Sequence, residues 1–209
     1  MPLFAATTTT ELDSLIEWVD VWLTNARSIV SGLTGDQLRA RPIETSELTL
    51  GWLILHIGEV AETWIARAAA GPGPLETGRT LVESFEHLAT VNEVAPDATA
   101  EDVLAEFDRR HAAALEHLRR VDLDVAVPVP AEMPWFPPDL PAFNGRWAVL
   151  LAVNEIGRHS GHADILREAI DGSTMFELIA GDQGIDMSYI GTWFAEHPEV
   201  PPTWLKLLR

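Results

Sequence analysis

The chain has 209 residues, 47% of them hydrophobic, and a formal net charge of −18. That length suits one domain with a sizeable core. The apolar share excludes disorder, and the charge argues against nucleic acid and anionic membranes, which call for Lys and Arg clusters. Cysteine is absent, which removes disulfides, Cys-bound zinc and Cys nucleophiles, so any thiol chemistry must use a thiol brought by a cofactor or substrate.

The N-terminal stretch Met1–Thr10 lacks a basic segment and a long apolar run, and no later apolar run is long enough to span a bilayer, so a cytoplasmic location is expected. The first helical pattern follows the Thr run. Thr10 is its N-cap, and Leu12, Leu15, Ile16, Val19, Trp22, Leu23, Ala26, Ile29 and Val30 form its apolar stripe. Trp18 lies off that stripe, at a subunit contact or over the C-terminal tail. Gly32 and Gly35 mark the stop, and one more turn is expected over Asp36–Arg39. The second pattern runs from about Leu48 to Ala70, capped by Ser46 or Thr49 and ended by Gly71-Pro72-Gly73-Pro74. A long connection follows, with a short helix expected around Leu81–Val91. It frees the next helix from lying antiparallel beside the second.

The third pattern opens at Thr99, with Asp102 in the capping-box position, and carries Val103, Leu104, Phe107, His111, Ala114, Leu115 and Leu118. Val125–Phe143 holds six prolines and is an extended loop. Its Trp135 and Phe136 either pin the loop to the helices or form a lid. The fourth pattern runs from Asn144 to about Ile170, with Trp147, Leu150, Leu151, Asn154, Glu155, Arg158, His159, His162 and Leu166 on its inner arc and Asp171-Gly172 as its stop. The remainder, with Phe176, Ile179, Tyr189, Trp193 and Trp204, is expected to be a docked tail of short helices. No strand pattern stands out. These elements predict an all-α four-helix bundle in one domain, residues 1–209, with a core over 10–172 and a tail over 173–209.

The residues that carry chemistry are Glu155, His159 and His162, spaced i, i+4 and i+7 on the fourth pattern, and His56 in the middle of the second. On a helix those offsets share a face. His56 follows Leu53 by three residues and precedes Val60 by four, so it points inward, where an unpartnered imidazole is costly. The bland explanations are a hydrogen-bonded core histidine at His56 and a Glu155 paired with Arg158 or with His159. One divalent cation shared by His56, Glu155 and His159 satisfies all three groups at once, and imidazole with carboxylate accepts zinc, nickel, iron or manganese. His87, His111, His117 and His197 are surface or boundary residues, with His111 the competitor nearest an apolar arc.

The chain resembles the DinB-like superfamily of four-helix metal-binding bundles. It is most similar to the branch containing the N-terminal domain of mycothiol-dependent maleylpyruvate isomerase and its single-domain relatives. The resemblance lies in Leu33-Thr34-Gly35-Asp36-Gln37-Leu38 followed by Arg41-Pro42, in Thr49-Leu50-Gly51-Trp52-Leu53 leading to His56, and in Glu155 through Asp164 closed by Asp171-Gly172. It implies that His56, Glu155 and His159 are the ligands of a divalent metal, commonly zinc or nickel, with His162 one turn beyond. The branch places a glutamate first in the late pair, as here. The isomerase has a further C-terminal domain, whereas 37 residues follow Gly172. The expectation is therefore a metal-dependent mycothiol S-transferase acting on small electrophiles, working as a homodimer. The metal would activate the thiolate, and His162 would accept the thiol proton or orient His159. Two other functions fit the same residues. One is a hydrolase of an amide or ester using metal-activated water. The other is a non-enzymatic bundle that binds a metal, a small molecule or a protein.

Overall fold

In the computed structural model, which describes residues 4–137 and 139–200, eight α-helices and two short strands follow one another in the chain. Helix α1 covers Glu11–Ile29, and Thr10 Oγ1 accepts from the Asp13 N–H at 3.1 Å to cap it. The one-turn α2, Gly35–Arg39, starts in a capping box between Thr34 and Gln37. Helix α3, Leu50–Ala70, is capped by Thr49 and is the most buried element, with Leu50, Leu53, Ile54, Ile57, Ala61 and Ile65 fully buried. Helix α4, Leu81–Thr90, buries no residue completely. Helix α5 spans Ala100–Leu118 and α6 spans Gly145–Asp171. Gly172, at φ +81°, ends α6 in the left-handed conformation that glycine adopts without a Cβ penalty.

The four long helices α1, α3, α5 and α6 form the bundle. Helix α3 packs on both α5 and α6, and α1 closes the other side against α6 and α5. The long connection thus leaves α3 and α5 as neighbours. Their approach is close at Gly58, where a Cβ would lie 3.2 Å from Phe107 and from Arg110. The structure also rotates the buried arc of α6 from the one predicted. Leu150, Asn154, Arg158 and His162 are exposed, and the inner line is Ala148, Val149, Ala152, Ile156, Ser160, Ala163 and Leu166. Small alanines bring the α6 backbone close to its neighbours, so the larger residues chosen by periodicity stand at the edge of the contact or outside it.

Two strands that alternation did not reveal, β1 (Ala126–Pro128) and β2 (Ala142–Asn144), pair antiparallel with Val127 opposite Phe143. At three residues each, with a proline in the first, they are too short to show a period, and they pair only because the intervening loop closes on itself. Phe136 pins that loop. Its ring meets Trp64, Phe143 and Trp147 at 5.9, 5.1 and 6.1 Å, edge-on.

Beyond α6, α7 (Met175–Gln183) docks on α1. Ser28 and Ser31 hydroxyls donate to Asp182 at 3.0 and 2.8 Å, and Ile179 is buried. Helix α8, Ser188–Glu196, follows with Tyr189 and Trp193 largely exposed. Trp204 and Pro138 lie outside the described residues. No described helix is long and apolar enough to cross a membrane.

Candidate metal centre

His56 comes from the middle of α3, and Glu155 and His159 come from the middle of α6. These two helices share the largest contact in the bundle. Their burial follows from the arcs just described. All three residues sit at the edge of the α3–α6 seam, with side chains 20%, 23% and 18% exposed. Each offers a ligand atom, and these atoms lie within 4.8 Å of one another; no other such group of three converges among the described residues. The two imidazoles meet edge to face with ring centres 4.6 Å apart, and His159 Nε2 is 3.2 Å from Glu155 Oε2.

Burial sets the charge state of the early histidine. Desolvation first, then His159 and Arg110, pull the His56 pKa down to about 4. Desolvation also lowers His159, against the opposing pull of Glu155. At neutral pH His56 is therefore an uncharged imidazole with a lone pair available to a cation. Two neutral imidazoles and a carboxylate beside an open space form a donor set that fits a divalent ion with positions left for other ligands.

His56 is held from behind. Its ring stacks on Trp52 at 4.7 Å, and the Asn92 amide nitrogen lies 3.3 Å from Nδ1. Asn92 is itself fixed by Arg110, which donates to Asn92 Oδ1 at 3.0 Å and to the Leu55 and Val91 carbonyls at 2.7 and 3.1 Å. Glu59, one turn after His56, brings Oε2 to 3.9 Å from the same Nδ1. Burial pushes the Glu59 carboxyl up, partly offset by the Thr63 hydroxyl that donates to it at 3.1 Å. The sequence reading missed Glu59, Asn92 and Arg110. A His-x-x-Glu spacing on one helix was the available signal for Glu59. No local pattern marks the other two, which reach the site across the bundle.

A cleft of about 470 Å³ opens beside the triad. His56, Glu59, Thr63 and Glu155 provide its polar groups, and Trp64, Leu151 and Phe136 provide apolar wall. Trp135, 66% exposed, stands at its edge. The proline-rich segment is therefore both pinned to the bundle and part of the cleft. His162 is exposed and does not line the cleft, and its Nδ1 lies 3.4 Å from His159 Nδ1. His111, the competitor, is engaged elsewhere, with Nε2 2.8 Å from Asp20 Oδ1.

A family model described as mycothiol-S-transferase matches residues 14–172. The match begins in the first turn of α1, takes in α3, α5 and α6, and ends at the glycine that stops α6. No curated protein and no solved structure gives a significant match to the chain.

Proposed function

The chain belongs to the mycothiol S-transferase family, and we propose that it joins the sulfur of mycothiol to small electrophiles at a divalent ion held by His56, Glu155 and His159. The observation that carries this reading is the convergence of three ligand atoms from two separate helices, within 4.8 Å, beside an open cleft. When bound, such an ion supplies Lewis acidity that lowers the pKa of a thiol reaching it.

The chain's own residues supply the rest. Trp64, Phe136 and Leu151 exclude water from one side of the cleft and give an apolar electrophile a surface to rest on. Glu59 stands 3.9 Å from Nδ1 of His56, placed to take its N–H when the other ring nitrogen faces an ion, the outer-sphere arrangement that fixes an imidazole's orientation, and Asn92 packs at the same nitrogen. His162 steadies His159 from Nδ1, and its exposure lets a proton taken up there pass to water. In the net reaction with an aryl halide, the thiol loses its proton, a C–S bond forms, and halide leaves.

The test is conjugation of mycothiol with 1-chloro-2,4-dinitrobenzene, followed by absorbance on protein stripped of metal and then reloaded with zinc or nickel. Turnover that needs both mycothiol and metal supports the reading. Thiol-independent cleavage of a chromogenic ester, or conjugation indifferent to chelation, overturns it.

A further inference from the structure

A second pocket of about 280 Å³, partly open to solvent, lies between α1, α6 and α7, and it shares no lining residue with the cleft beside His56. Trp18 and Trp22 of α1 and Phe176 and Ile179 of α7 give it apolar walls. Two polar side chains of α6, Ser160 and Asp164, one turn apart, line the same space. Ser160 is only 5% exposed. Among the described residues, neither its Oγ nor Asp164 Oδ1 has a hydrogen-bond partner, although both atoms are shielded from solvent.

Buried polar atoms are normally paired, because an orphan forfeits its hydration without return. Arg167 on the same helix follows that rule, donating to the Ile29 and Ser31 carbonyls and to Asp171. Asp164 therefore brings to an aromatic-walled space a carboxyl group that no donor or cation among the described residues pairs. No Lys, Arg or His lines the space. The charged side chain that acts on Asp164 is Glu168, which is also negative. Trp18, 47% exposed, forms part of the wall, which accounts for an aromatic off the core stripe of α1.

We propose that this cavity binds a small monocationic amine with an aromatic body, its ammonium donating to the Asp164 carboxylate and its ring lying among Trp18, Trp22 and Phe176. A cation answers both the unpaired carboxyl group and the negative local charge, and indole faces attract cations as well as apolar groups. A neutral guest of the same shape fills the walls and leaves the carboxylate alone. An anion adds repulsion. The volume, near the lower end of the range of about 300–1,000 Å³ typical of ligand sites, suits a fragment-sized molecule.

The test is calorimetric titration of the full chain in chelator at pH 7.5 with three probes of one shape: phenethylammonium, 2-phenylethanol and phenylacetate. The expected result is one phenethylammonium per chain, bound at least about tenfold tighter than the alcohol, with no heat from the acid. Asp164→Asn should erase the preference for the cation while mycothiol conjugation stays unchanged, and Trp18→Ala, at an exposed position, should weaken phenethylammonium severalfold. Glu155→Gln should leave phenethylammonium binding intact, which separates this cavity from the metal-centre cleft. Equal affinity for amine and alcohol, a preference that survives Asp164→Asn, loss of binding in Glu155→Gln, or no heat at millimolar amine would each overturn the proposal.

Discussion

Replacing His56 with Ala tests the proposed metal centre most directly, and the structure sets the size of the effect. In metal-free protein the substitution removes a stack on Trp52 and the Asn92 contact. The stack is worth about 0.5–1.5 kcal/mol and the hydrogen bond about 1 kcal/mol, and relief of imidazole desolvation offsets part of this. The net cost is about 1–2 kcal/mol, or roughly 2–8 °C in Tm for a chain of this length. The bundle survives, because Leu53, Ile54 and Ile57 around it are fully buried without help from the ring. The metal response is the sharper readout. At a free metal concentration 100 times Kd, binding stabilises the wild type by about 2.7 kcal/mol, roughly 5–11 °C. If losing one of three ligands weakens binding at least about a hundredfold, the upper end of what losing an outer-sphere partner costs, the same concentration gives the variant no more than about 0.4 kcal/mol, near 1 °C. Scanning calorimetry of both proteins with chelator and with excess zinc or nickel, together with elemental analysis, measures both quantities. A His56→Ala protein that is folded, keeps its metal and shows the full metal-induced shift would refute the assignment.

Four further outcomes are expected. Glu59→Gln, which keeps the shape but removes the charge 3.9 Å from His56 Nδ1, should lower metal affinity by about 10–100-fold and leave the far-ultraviolet circular dichroism unchanged; competition against a metal-binding dye reads this. Acid should destabilise the metal-free protein through His56. The unfolded chain protonates near 6.5 and the folded one near 4, so the stabilising contribution is complete above about pH 6.5 and is lost, by roughly 2–3 kcal/mol, as pH falls towards 4. Asp164 works in the opposite sense. Burial pushes its pKa up to about 6, so its folded form is favoured at low pH and penalised as pH rises through 6. Asp164→Asn should therefore gain about 1–2 kcal/mol at pH 7.5, after allowance for partial exposure, and nothing near pH 4; urea titrations across that range, in chelator, check both residues. Finally, Phe136→Ala, which strips the ring packed on Trp64, Phe143 and Trp147, should cost about 2–3 kcal/mol. It should raise KM for the electrophile more than it lowers kcat, as steady-state kinetics at saturating mycothiol will report.

The helices of this protein are written locally. Thr10, Thr34, Thr49, Thr80 and Thr99 cap five of them within a turn of the first apolar residue. Gly172 stops α6 through its own backbone freedom, and the i, i+4 relation of Glu155 to His159 needs only a helix to be realised. These are interactions over three or four residues, so they are legible in the chain without knowledge of the fold. That His56 faces the pair is a different kind of fact, since it depends on α3 lying against α6 at that height. The rotation of α6, set by Ala148, Ala152 and Ala163, decided that Glu155 and His159 stand at the seam while His162 and Arg158 face outward. The paired strands, the cleft walled by Phe136, the support of His56 by Asn92 and Arg110, and the cavity beneath Trp18 all join residues far apart in the chain. Such contacts are chosen by close packing among several elements at once, and no periodicity along a single element encodes them.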